Sequence, residues 1–142
     1  MTKLTRIGLP LVAALGMVVP GAAASAEGAG AMAITTSVIN WPPDCGNAVK
    51  SYDGGALVCF NPTGEHMFVC DTDGDGAHPE ALYRGNHDSS WGRKKHYGGV
   101  GTCLDVNFTM AEDTFIQYQP QNWDGNLLVS RGPTTGWISA RG

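Results

Sequence analysis

Thr102-Cys103-Leu104-Asp105-Val106-Asn107-Phe108-Thr109 is the stretch that decides the fold. Its side chains alternate. Cys103, Asp105 and Asn107 fall on one side, and Leu104, Val106 and Phe108 fall on the other. Successive side chains point to opposite faces only in an extended strand, so this octamer is a strand with its apolar set facing a core. Nowhere does the chain place apolar residues at i, i+3, i+4 and i+7 over three turns, the spacing an amphipathic helix needs. Thr109 to Asp113 has room for one helical turn and no more.

Working outward, the same period recurs. Ile34 to Trp41 alternates Ile, Thr/Ser, Val and Asn, and Trp41-Pro42-Pro43-Asp44 stops it because two prolines remove two ladder donors. Ala56–Phe60 and His66–Cys70 flank Asn61-Pro62-Thr63-Gly64, a turn sequence, and so read as a hairpin. Asp71–Ala77 and Gly85–Gly92 read as loops, with a strand over Glu80–Arg84 between them. Thr114–Gln119, Leu127–Ser130 and Gly136–Ala140 supply further strands, and Asp124-Gly125 and Gly132-Pro133 supply turns. Eight or nine short strands without a helix indicate an all-β antiparallel sandwich or barrel. The sandwich, immunoglobulin-like or similar, is the expectation carried forward.

The chain begins with a different pattern. Lys3 and Arg6 precede an apolar run from Ile7 to Val19, and Ala24-Ser25-Ala26 offers a small-x-small cleavage site. This is the layout of a secretion signal peptide over residues 1–26, with an h-region too short to span a bilayer. Gly- and Ala-rich residues 27–33 read as a flexible N-terminal tail, leaving residues 34–142 as a single domain. The expected location is secreted and extracellular, with no membrane association after cleavage, because no later segment stays apolar for about 18 residues.

Removal of the signal leaves 116 residues, with seven basic and thirteen acidic side chains and a formal net charge of −6. Nucleic-acid binding needs clustered positive charge to displace counterions. Beyond Arg93-Lys94-Lys95 the chain has no such run, so a nucleic-acid partner is not expected.

Cys45, Cys59, Cys70 and Cys103 make an even set in an exported domain, which reads as two disulfides. In a tight hairpin Cys59 lies opposite His66 or Met67, which leaves Cys70 out of its reach. The preferred pairing is Cys45–Cys59 with Cys70–Cys103. With no Cys-x-x-Cys motif, the bonds read as structural staples.

Several short runs carry a resemblance. They are Gly64, Glu65, Phe68 or Met67, Val69, Asp71, Thr72, Asp75 and Gly76, then Gly99-Val100-Gly101-Thr102, then Ala111-Glu112-Asp113. Together they resemble small secreted β-sandwich proteins of actinomycetes, across roughly Ala56 to Ile116. The resemblance implies a fold and an exported location. It implies no activity, because those proteins are largely uncharacterised, and no functional residue is carried over.

Asp71-Thr72-Asp73-Gly74-Asp75-Gly76 has the opening of a calcium loop, with Asp71, Asp73 and Asp75 as ligands and Gly76 at the sharp turn. Position twelve, which needs a bidentate Glu, is Leu82. The alternative is an Asp/Gly turn whose carboxylates satisfy their own backbone amides. The resembling proteins commonly lack the middle Asp, which favours the turn. No other cofactor is expected. His66, His78, His87 and His96 show no zinc spacing, and no Gly-x-Ser-x-Gly is present. Asn86-His87-Asp88-Ser89-Ser90 is a hydrophilic loop, since sequence neighbours seldom form a triad. A non-enzyme is expected.

Sugar faces stack on aromatic rings, so Trp91 and Trp123, both set among polar residues, are the candidate ligand-binding residues. The other reading places the tryptophans in the core. The expected function is a non-enzymatic, monomeric extracellular binding module for a glycan or cell-wall component. The alternative is a protein-binding inhibitor or toxin-like effector that presents a stapled loop.

Overall fold

The computed structural model describes residues 33–142. The expected signal peptide and N-terminal tail lie outside the described residues, except that Ala33 opens the first strand. Ten strands run in chain order: β1 (Ala33–Asn40), β2 (Gly46–Lys50), β3 (Ala56–Asn61), β4 (His66–Asp71), β5 (His78–Gly85), β6 (Gly92–Lys95), β7 (Thr102–Thr109), β8 (Phe115–Asp124), β9 (Leu127–Arg131) and β10 (Ile138–Ser139). They form two five-stranded antiparallel sheets packed face to face. Sheet one has the order β1-β7-β4-β3-β2. Sheet two has the order β10-β8-β5-β6, with β9 also paired to β8. The all-β sandwich is as expected, with the edge strands β2 and β6 added to the runs named from sequence.

The alternation in β7 does what its pattern requires. Val106 and Phe108 enter the core between the sheets, where Leu104 also packs. Val58 and Phe60 of β3 and Met67 and Val69 of β4 join them from sheet one. Ala81 and Tyr83 of β5 and Ile116 and Tyr118 of β8 close the core from sheet two. The Tyr118 hydroxyl donates to the carbonyl of Asn47, 2.6 Å away, and so ties sheet two to the β2 edge of sheet one. Burial pushes that phenol far above its usual range.

Both disulfides form as expected, Cys45–Cys59 and Cys70–Cys103. One register detail differs. Cys59 lies opposite Phe68, not His66 or Met67, because the hairpin turn takes in Asn61 and His66 as its last pair. Cys70 still lies opposite Leu57 on β3 and directly opposite Cys103 on β7, at a Cα separation of 4.0 Å.

Cys103 points away from the core, yet it is fully buried. The reason is the connection from β1 to β2. These are the two opposite edges of sheet one, four strand spacings or about 19 Å apart. Six residue steps from Asn40 to Gly46 reach about 20 Å at full extension. The Trp41–Cys45 segment therefore runs as a taut strap across the outer face. Cys45 anchors it to Cys59, and the Asp44 carbonyl accepts from Asn61 Nδ2 at 3.0 Å. Beneath it Leu57, Cys59, Phe68, Cys70 and Cys103 form a second apolar cluster, flanked by Ile39 and Cys45.

Candidate functional site

Among the described residues no such strap crosses sheet two. Its outer face is built from alternate residues of three strands. With Ala81 and Tyr83 committed to the core, β5 turns His78, Glu80, Leu82 and Arg84 outward. Arg93 and Lys95 of β6 lie opposite Leu82 and Glu80. On β8, Gln117, Gln119, Gln121 and Trp123 alternate with the inward Ile116 and Tyr118.

Glu80 organises one end of this face. Its carboxylate is fully buried beneath three partners: His78 Nε2 at 2.9 Å, Arg93 Nη1 at 2.8 Å and Lys95 Nζ at 3.3 Å. A buried carboxylate is tolerated only when paired and hydrogen-bonded in this way. The pairing fixes Arg93, whose guanidinium lies 4.9 Å from the ring centre of Trp123. Trp123 is held from its other side as well, because its indole Nε1 donates to Gln121 Oε1 at 2.9 Å. Gln121 in turn donates to Gln119 at 3.2 Å, and Gln119 to Thr134 at 3.3 Å.

Arg84 organises the opposite end. Trp91, just before β6, lies 4.8 Å from its guanidinium carbon, and Trp137, just before β10, lies 5.3 Å away. Its Nε donates to Gln117 Oε1 at 2.7 Å. Among the described residues Arg84 forms no ion pair. Trp91 and Trp137 keep 41% and 47% of their surface exposed, whereas Trp123 is half-buried. Trp91 sits beyond Gly92, which pairs with Tyr83, and Trp123 pairs with His78. The two indoles therefore stand at opposite ends of one face, about 20 Å apart along β5.

The two tryptophans singled out from sequence thus share a surface. Trp123 lies in strand β8, not in a loop.

The acidic run behaves differently. Asp71 ends β4, nearly buried, and its Oδ1 accepts from the Asp73 amide at 3.3 Å. Burial raises its carboxyl above the ordinary range. Asp75 accepts from the Ala77 amide at 2.9 Å and from Asn122 Nδ2 at 2.9 Å. The same amide nitrogen donates to Asp53 at 2.9 Å. These are Asx-turn and side-chain amide bonds. Among the described residues no group of three or more His, Cys, Asp or Glu side chains is placed to hold a metal ion. Asp71 and Asp73 instead line a cleft of about 350 Å³ with His78, His96, Tyr97 and Val100.

No comparison identifies a relative. No protein-family model matches the chain, and no curated protein or solved structure is found similar to it.

Sequence reasoning missed Arg84, Trp137, Glu80 and the glutamine row. The signal was present in Gln117-x-Gln119-x-Gln121-x-Trp123, which keeps period two straight through Pro120. Pro120 ended the expected strand too early. Its carbonyl accepts from Gly132, on the side away from β5, so its missing N–H also points away from the β5 ladder.

Proposed function

We propose that this protein is an exported, non-enzymatic module that binds a glycan on the outer face of sheet two. The observation that carries the reading is the placement of Trp91 and Trp123 on one open sheet face, with Trp137 beside the first and a row of glutamine amides between. Sugars present apolar ring faces and equatorial hydroxyls. Tryptophan rings meet the former, and side-chain amides meet the latter. An extended face about 20 Å long suits several residues of a polysaccharide better than a single sugar. Each ring is held by an arginine, which reduces the rotamer freedom lost on binding. The outer face of sheet one is a poorer candidate, because the strap covers it. Two disulfides fit the oxidising surroundings that export provides.

The test is retention on insoluble polysaccharides and a glycan array. The parent is expected to be retained, and Trp91→Ala with Trp123→Ala is expected to abolish retention while the melting temperature stays within a few degrees. Equal retention of parent and double variant would remove the reading.

A further inference from the structure

From Arg84 we infer that the glycan is a carboxylated one, a uronate polymer, bound with its carboxylate on that guanidinium. This rests on the proposed glycan-binding face and names the ligand class for it. After cleavage at Ala26 the chain is acidic overall, with a net charge of −6. The outward rows of β5, β6 and β8 nonetheless carry Arg84, Arg93 and Lys95 against a single carboxylate, Glu80. Glu80 is consumed by Arg93, Lys95 and His78. Arg84 stands outside that network.

Its position is nevertheless fixed. Trp91 and Trp137 both lie within cation–π distance, and Gln117 takes the Nε proton. Among the described residues the two terminal nitrogens of Arg84 have no acceptor. A guanidinium that is ordered, partly desolvated by aromatic rings and not neutralised is a preorganised anion site. Its planar fork matches a carboxylate, which accepts two parallel N–H bonds. The flanking indoles supply stacking surface for the pyranose ring that bears that carboxylate. A uronate unit needs both elements together, and Trp91, Arg84 and Trp137 present both in one row across the sheet.

The experiment titrates the intact protein with polygalacturonate, with alginate and with fully methyl-esterified polygalacturonate, following tryptophan fluorescence and calorimetry. The ester keeps the sugar and removes the charge. The expected result is a preference for one of the free acids over the ester of about tenfold or more, the size of a lost charge-assisted hydrogen bond. Arg84→Gln is expected to erase that preference. Arg84→Lys, which keeps the charge and loses the fork, is expected to restore only part of it. Equal binding of acid and ester, sensitive to Trp91→Ala but not to Arg84→Gln, would overturn the uronate assignment and leave the glycan face standing. Tighter binding of dextran sulfate than of either uronate would overturn the choice of carboxylate. Binding to no polymer would overturn both readings.

Discussion

His96 shows how much a single side chain is asked to do. It is 1% exposed, at the base of the cleft beside the acidic loop. Its Nε2 lies 2.7 Å from Thr102 Oγ1, and that hydroxyl gives its only proton to the Gly99 carbonyl, also at 2.7 Å. His96 Nε2 is therefore the donor. Burial holds the imidazole below its ordinary 6.5, and the Asp71 carboxylate and the Thr102 bond oppose this without reversing it. The sign for stability follows. Below about pH 6.5 the unfolded chain takes up a proton at this position while the fold resists it, so stability falls with pH until the folded ring also protonates. We predict that the melting temperature drops between about pH 7.5 and pH 5.5, and drops less in His96→Gln, which keeps a donor for Thr102. Identical slopes in parent and variant would contradict this.

At the level of elements, the contact between the sheets at their edges is close. Gly132 follows β9, and its amide donates to the Pro120 carbonyl at 2.9 Å. A Cβ on Gly132 would run into the carbonyl oxygen of Lys50 on β2 and come within 2.7 Å of the Pro120 ring. Lys50 offers backbone there, which has little freedom to retreat. Gly132→Ala is expected to destabilise by about 1–3 kcal/mol in urea unfolding, as overpacking does. Gly136→Ala, with nothing within 4 Å of the added methyl, serves as the control. Equal midpoints for the two variants would show that the edge yields.

The same edges explain what the sequence displayed and what it hid. β7 and the β3–β4 hairpin were legible because each buries an alternating or continuous apolar set. β2 and β6 were not. Gly46–Lys50 is exposed at four of five positions and shifts register against β3, and Gly92–Lys95 is Gly-Arg-Lys-Lys. Edge strands that carry charge and glycine blunt further pairing and so lack a core-facing pattern. Pairing of Cys70 with Cys103 was legible from the reach of the β3–β4 hairpin, whereas the β4–β7 register that sets the two opposite each other was not. Trp91 and Trp123 were visible as aromatic residues among polar neighbours. Their sharing a face was not, since that depends on which strands flank β5.

Over the whole molecule the two outer faces are unlike. One is sealed by the strap, a small apolar cluster and two disulfides. The other is open, aromatic and cationic. In the chain-entropy view, loops of 14 and 33 residues closed by the disulfides contribute about 3 and about 4 kcal/mol respectively. That stabilisation lies in the sheet opposite the proposed binding face.

The strap also has a mechanical consequence. A module that holds a polymer, as proposed for this one, is pulled on. β1 is an edge strand joined to the rest by one ladder, with β7, and the chain enters the domain through it. Tension from that end can peel away β1 and then the strap, but Cys45 is bolted to Cys59 in the third strand of the hairpin layer beneath. The slack is therefore limited to residues 33–45, about 4 nm of chain. In an optical-tweezers experiment we expect a first extension of no more than about that length, lost as a distinct limit once dithiothreitol opens the bond. A longer first step under oxidising conditions would show that the bolt does not bear the load. Otherwise the domain has a built-in safety stop at its N-terminal edge, one that gives a little under force before the load reaches the core.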